Sequence, residues 1–314
     1  MYLIVADEYA GTEELNQVFH FDNSPFENDL EKRGFHIVKK PRSNYNFTPF
    51  SIASTLNFSY LPLKDTNHTA AELAKVMGLI AGNNITHFFY NQGYQVFNNS
   101  IFDLPREPKQ VVSTFLPNKT KYITAQTLLS RLDRDLYYHL VTSLKWEWAI
   151  KRGLYANANS NKVLLAKTIA TSKRRGKPKF SYTHLSMPHW PFYVNENGTP
   201  YPYQQLLDDG NKEHYISYLQ YSNKVLLHLI DQILQNSKQP PIIVFISDHG
   251  FRLSGNGNER DYNFMNICAI YTPSKKYASY YDGLSLVNLF RVVLNTEFGQ
   301  QLPLIKDATL FLKD

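Results

Sequence analysis

The chain has 314 residues, of which 43% are hydrophobic and 14% aromatic, with 22 Tyr and 20 Phe. That supplies the core of one large α/β domain or two ordinary ones and excludes a disordered, aromatic-poor polymer. A formal net charge of +6 favours an anionic partner such as a phosphate ester, an acidic lipid surface or nucleic acid. The one cysteine, Cys268, excludes an intrachain disulfide and a cysteine-based zinc cluster.

Tyr2 to Ala6 is a short apolar run that reads as a strand and ends in Asp7, Glu8 and Tyr9. Acids at a strand end serve as metal ligands or cap the next helix, which Gly11 to Leu15 would begin, and the residues leave both readings open. The opening residues lack the basic and apolar regions of a secretory signal, and no run reaches the roughly 18 to 20 apolar residues of a membrane span. A strand that starts at residue 2 raises the expectation that the sequence is a piece of a longer protein. Residues 34–40 read as a second strand, followed by a polar loop over 41–47. Thr48 followed by Pro49 is a helix-start signature, which puts the Thr48 hydroxyl at the positive end of that helix.

Leu73, Val76, Met77 and Ile80 predict a helix over 71–82, and 84–90 reads as a strand. Residues 98–120 read as loop. Residues 122–152 read as one or two helices carrying Trp146 and Trp148, an insertion or lid. The basic run Lys173 to Lys179 is expected to be a solvated loop. Phe180 to Leu185 reads as a strand containing His184. Pro188 and Pro191 then hold His189 and Trp190 in an extended loop at its end, a place suited to a substrate contact or general acid. Leu226, Leu229, Ile230, Ile233 and Leu234 give the clearest helix, over 222–236. Later come a Gly-Asn loop at 255–258, a strand at 267–271 expected to bury an inert Cys268, and a helix from Ser285 to Leu294. There is no internal repeat, heptad pattern or nucleotide-binding glycine motif. The remaining histidines read as packing or surface residues.

The most informative stretch is Pro240 to Arg252. Ile242 to Ile246 is a continuous apolar run, the pattern of a strand buried on both faces of a parallel sheet. Its carboxyl end delivers Ser247, Asp248, His249 and Gly250, and ligands of open α/β sheets bind outside the carboxyl ends of strands. A carboxylate beside an imidazole there is placed to hold a metal.

Four features in fixed order, Asp7 after the first strand, Thr48 at a helix start, Pro188-His189-Trp190-Pro191-Phe192 and Ser247-Asp248-His249-Gly250, together resemble the alkaline phosphatase and sulfatase superfamily. The resemblance runs over nearly the whole chain. It is strongest to the sulfatase-like branch that includes lipoteichoic-acid synthase and phosphoethanolamine transferase catalytic domains. It implies one α/β catalytic domain over residues 1–314, with a mostly parallel central sheet sandwiched by helices and a small C-terminal α+β region. It also implies a divalent metal held by Asp7, Thr48, Asp248 and His249, zinc or manganese before magnesium or calcium. Thr48 becomes the nucleophile, passing through a phosphothreonine, and His189 holds the ester oxygens or protonates the leaving group. His184 and Arg252 become substrate contacts, with Glu8 of the same rank.

Two departures refine this. Formylglycine sulfatases need cysteine or serine at the nucleophile position, where this chain has Thr48, so a formylglycine sulfatase is not expected. Two-metal relatives carry an aspartate four residues before a histidine, where this chain has Leu185 before His189, so one tightly bound metal is expected. The reading is a phosphotransferase or phosphodiesterase acting on phospholipid headgroups or surface polymers at a membrane surface, extracytoplasmic if an upstream anchor has been removed. The alternatives are a hydrolase of small sulfate or phosphate esters and a non-catalytic relative that binds an anionic glycan or lipid. No recognised module supports nucleic acid as the partner.

Overall fold

A computed structural model describes residues 1–63, 69–110, 143–252 and 259–313. Its first half carries β1 (Tyr2–Ala6), α1 (Thr12–Val18), α2 (Ser24–Lys32), β2 (His36–Ile37), α3 (Thr48–Asn57), α4 (Ala70–Ala81), α5 (Asn84–Asn91) and β3 (Gln95–Asn99). The second half carries α6 (Glu147–Leu154), α7 (Ala156–Lys173), β4 (Lys179–Leu185), α8 (Lys212–Asn236), β5 (Ile243–Ile246), α9 (Glu259–Tyr262), β6 (Cys268–Tyr271) and α10 (Leu286–Phe298).

The six described strands form one sheet in the order β2-β6-β5-β1-β4-β3. β3, β4, β1 and β5 run parallel, while β6 is antiparallel to both β5 and β2. This is the expected mostly parallel α/β sheet, and the C-terminal strand and helix belong to the same sheet and core. Strand alternation explains why β1 is apolar at every position. Leu3 and Val5 enter one core cluster with Phe50 of α3, Ile80 of α4, Phe89 of α5 and Leu289 of α10. Tyr2, Ile4 and Ala6 enter the other with Leu30 of α2, Leu164 of α7 and Leu229 of α8. On α8, Leu226, Leu229, Ile230 and Ile233 are fully buried, and each such side chain contributes roughly 1.5–3 kcal/mol of hydrophobic stabilisation.

Residues 84–90 are not a strand; they form α5, and the strand follows at Gln95–Asn99. The Asn83 side chain accepts from the Thr86 amide at 2.8 Å and caps the helix. Ile85 and Phe89 then bury one helical face. Packing and the cap outweigh the strand preference of Ile, Phe and Tyr. Asn98 and Asn99, expected in a loop, end β3.

The expected helix at 222–236 begins earlier, at Lys212, where Asn211 caps it by accepting from the His214 amide at 2.9 Å. α7 was not expected, because its buried residues include Asn161, Thr168, Thr171 and Ser172 beside Leu164. Of the expected helical stretch 122–152, residues 143–152 are described. Trp146 and Trp148 are exposed there at the start of α6. Residues 111–142 and the Gly-Asn loop at 255–258 lie outside the described residues. The basic run ends α7 and opens β4 at the amino edge of the sheet, where Lys179 Nζ donates to the Thr171 carbonyl at 2.9 Å and Arg175 to the Asn236 carbonyl at 2.7 Å. Cys268 is buried in β6. Among the described residues no helix is long and apolar enough to cross a membrane.

The C-terminal tail packs back on the loop before α3. The Leu310 amide donates to the Asn44 carbonyl at 2.8 Å, and the Asn46 side chain exchanges hydrogen bonds with the Leu312 backbone at 2.8 and 3.1 Å. That loop ends at Thr48.

Candidate active site

β1 is central because it pairs with β4 on one side and β5 on the other, Val5 lying opposite both His184 and Ile246. Just beyond these pairs the chain delivers Asp7 after β1 and Asp248 after β5, with His184 the second-last residue of β4. One ligand atom from each of Asp7, His184 and Asp248 lies within 4.8 Å of the others, and all three residues are buried.

Thr48 comes from the other direction. It is the first residue of α3, with Phe47 as N-cap, so it sits one position inside the helix rather than at the cap. Its Oγ1 lies 3.4 Å from Asp7 Oδ1 and 3.1 Å from His249 Nε2. Ser51, one turn on, bonds the Asp248 carbonyl through its hydroxyl and ties α3 to the β5 turn. Asp7, Thr48, Asp248 and His249 are therefore brought together. His249 Nε2 is 3.4 Å from Asp248 Oδ2 and 3.9 Å from Asp7 Oδ1.

The hydrogen bonds fix how these groups present themselves. His249 Nδ1 lies 2.7 Å from the Gly250 carbonyl, so Nδ1 carries the proton and Nε2 offers a lone pair toward Thr48. Asp248 Oδ1 accepts from the Glu8 and His249 amides at 3.1 and 3.0 Å. Asp248 Oδ2 and His184 Nε2 are buried without any hydrogen-bond partner. His184 Nε2 faces Asp7 Oδ2 at 3.5 Å, and its Nδ1 is 2.9 Å from the Tyr182 hydroxyl.

Two buried carboxylates converge with imidazole nitrogens and a hydroxyl, and one carboxylate oxygen (Asp248 Oδ2) and one ring nitrogen (His184 Nε2) are left without a hydrogen bond. This donor set fits a divalent cation, since burying such groups unpaired is costly. His184, expected as a substrate contact, is fully buried and stands with the carboxylates beneath the site.

A second group sits at the rim. Glu8 has a left-handed backbone, φ 59°. It is held there by its amide bond to Asp248 and by the Tyr215 hydroxyl, which donates to its carbonyl at 2.9 Å. The Glu8 carboxylate accepts from the Arg252 backbone amide at 3.2 Å and lies 3.4 Å from Arg252 Nε and 3.7 Å from His189 Nε2. His189 Nδ1 donates to the Trp190 carbonyl, leaving Nε2 turned toward the site.

The electrostatics divide the carboxylates. Burial works against charge on Asp7, but His189 and then His184 outweigh it and hold Asp7 below the usual range. Burial and then the Asp7 charge push Asp248 up. Burial disfavours the His189 cation, yet Asp7 and Glu8 more than compensate, so its pKa rises above the ordinary value.

Sequence reasoning missed the supports: Ser51, Tyr182 and Tyr215 reach the site through packing rather than motif. Gly250 did carry a signal, and its role is close approach. A Cβ there would lie 2.2 Å from the Tyr262 carbonyl oxygen and 2.6 Å from that of Met265.

Comparison with known proteins gives a family and a fold. The family profile described as Sulfatase matches residues 68–293, a stretch that contains His184, His189, Asp248 and His249 but not Asp7 or Thr48. The C-terminal periplasmic domain of EcEptC from Escherichia coli, in complex with Zn, is 13% identical with a TM-score of 0.55; the alignment covers 94% of this chain and 80% of that one. The integral membrane lipooligosaccharide phosphoethanolamine transferase A of Neisseria meningitidis is 13% identical with a TM-score of 0.56, covering 93% of this chain and 53% of that one. The phosphonate monoester hydrolase of Agrobacterium radiobacter is 13% identical with a TM-score of 0.53, covering 94% and 72%. No curated protein matches the chain.

Proposed function

We propose that this chain, which belongs to the sulfatase family, transfers phosphoryl groups from a phosphate diester, with Thr48 as the nucleophile. The observation that carries the reading is Thr48 Oγ1 itself, at a helix start between Asp7 Oδ1 and His249 Nε2. A formylglycine route is disfavoured by the same position: the nucleophile site holds threonine, and the one cysteine is buried in β6.

Asp7, Thr48, Asp248 and His249 would hold one divalent cation, zinc or manganese before magnesium or calcium, with His184 beside it. When bound, it supplies positive charge that favours the Thr48 alkoxide and neutralises a nonbridging phosphoryl oxygen. The proton on Thr48 Oγ1 has two acceptors at hand, His249 Nε2 at 3.1 Å and Asp7 Oδ1 at 3.4 Å; with His249 Nε2 and the other ligands held by the cation, Asp7 takes it, and the amino end of α3 favours the developing anion. Thr48 Oγ1 forms a bond to phosphorus as the bond to the leaving alcohol breaks. His189, kept protonated by Asp7 and Glu8, gives its Nε2 proton to that leaving oxygen. A water or an acceptor alcohol then attacks phosphorus, passing its proton to His189, as the bond from phosphorus to Thr48 Oγ1 breaks and Thr48 takes back its own proton. Arg252, whose cation is sustained against burial by Glu8 and Asp7, stands at the rim to hold ester oxygens.

The substrate class we favour is a phospholipid headgroup or surface polymer, in keeping with the lipooligosaccharide phosphoethanolamine transferase among the similar structures. An extracytoplasmic location follows the same analogy. The test is turnover of an aryl phosphodiester beside an aryl sulfate by metal-stripped protein resupplied with manganese or zinc. The reading expects metal-dependent diester cleavage that falls on the order of 10⁴-fold in Thr48→Ala. Sulfate turnover matching diester turnover would defeat it.

A further inference from the structure

The carboxyl edge of the sheet carries a cavity that the proposed reaction does not use. Its volume is about 250 Å³, larger than the roughly 150 Å³ apolar cavity that accommodates benzene. Its floor is apolar, made by Ile37 and Val38 at the end of β2 and by Met265, Ile267 and Cys268 at the start of β6. Val38, Ile267 and Cys268 are buried. Neither the metal-binding candidates nor His189 lines it.

The rim is charged and unevenly paired. Glu13 is engaged by Lys40 at 2.8 Å, and Glu27 accepts the Thr12 hydroxyl. Lys39 and Arg42 line the same cavity, and neither side chain has an ion pair or hydrogen bond among the described residues. Lys40 neutralises Glu13, while Glu27 is bonded only to a neutral hydroxyl and keeps its charge; Lys39 and Arg42 together still outweigh it, so the net charge left to recognise a ligand is positive. An ammonium and a guanidinium over an apolar floor match an acid group carried on an apolar body.

We infer that this cavity binds a small amphipathic anion, a carboxylate, sulfonate or phosphate on an aryl or alkyl body. The apolar part lies on Val38 and Ile267 and the acid lies between Lys39 and Arg42. The occupant sits one strand from Asp248, because the Ser247 amide donates to the Ile267 carbonyl at 3.0 Å and Asn266 Nδ2 donates to the Ser247 carbonyl at 2.8 Å.

The test is a fluorescence titration of the metal-free full chain with 8-anilinonaphthalene-1-sulfonate, beside N-phenyl-1-naphthylamine, which lacks the sulfonate. One saturable site is expected, with the sulfonated dye about tenfold tighter. The variant Lys39→Ala/Arg42→Ala, changed only at the rim, is expected to weaken the sulfonated dye about tenfold and leave the neutral dye unchanged. Ile37→Trp, which fills the cavity, should weaken both. Displacement of the dye by octanoate assigns the site to a free amphiphile, and displacement only by phosphatidylglycerol vesicles assigns it to a lipid. Equal affinity for the two dyes, non-saturating binding, or a double variant that binds like wild type overturns the inference.

Discussion

Asp248→Asn separates the two things that Asp248 does. Its Oδ1 is held by two backbone amides, and an asparagine carbonyl keeps both bonds. Its Oδ2 is buried and unpartnered, and one of its carboxylate oxygens lies within 4.8 Å of Asp7 and His184 ligand atoms. At an effective dielectric of about 20, two unit negative charges at 4.8 Å repel by about 3.5 kcal/mol, and part of that repulsion shows as the resistance of Asp248 to ionisation. The variant should therefore melt at or above wild type without metal. Wild type at a hundredfold excess of zinc or manganese over its Kd gains about 2.7 kcal/mol, which at roughly 2–4 °C per kcal/mol raises Tm by about 5–10 °C. The variant should lose most of that gain. Differential scanning fluorimetry of chelator-stripped protein, with and without metal, reads both quantities. A metal-induced shift that survives in Asp248→Asn would refute the assignment of Asp248 as a ligand.

Gly250→Ala should lower Tm and impair metal binding. Its new Cβ would sit 2.2 Å from the Tyr262 carbonyl oxygen, and relieving that overlap costs about 1–3 kcal/mol while moving His249; a wild-type melt would contradict this. Glu14 is fully buried, and burial raises its carboxyl well above the usual value. Its folded pKa exceeds its unfolded one, so its neutral form favours folding below the unfolded value and that contribution is lost as pH rises through the folded value. Wild type should accordingly lose stability relative to Glu14→Gln between acid and alkaline pH, and parallel melting profiles would contradict the sign. Burial likewise pushes the Cys268 thiol up. A disulfide reagent at mildly alkaline pH should label it only after denaturant is added; rapid labelling of native protein would show that β6 opens.

The parts of the site legible in the sequence are those where local chemistry and fold coincide. A doubly buried strand is apolar throughout, so Ile243–Ile246 announced itself and pointed to Asp248 and His249. The Thr48-Pro49 pair located the start of α3 to within one residue. The Asn84–Asn91 segment misled because its aromatic and branched residues favour a strand, while the deciding term, the Asn83 cap with a buried helical face, is a matter of context. α7 was invisible because it buries Asn161 and Thr168 through specific partners, the Ser186 backbone and Thr183, where periodicity has nothing to register. Glu8 at positive φ depends on Tyr215, some two hundred residues away in sequence. The clamp of Leu312 on Asn46 spans a longer stretch still. Long-range support of this kind leaves no local signature.

The central claim is that Thr48 becomes covalently phosphorylated during turnover. Metal-loaded protein should be mixed with an aryl phosphodiester, quenched in acid and digested, and the peptides weighed. The account predicts a phosphoryl-bearing group on the peptide containing Thr48, absent from Thr48→Ala and from protein stripped of metal. Turnover that leaves Thr48 unmodified and persists undiminished in Thr48→Ala would contradict it.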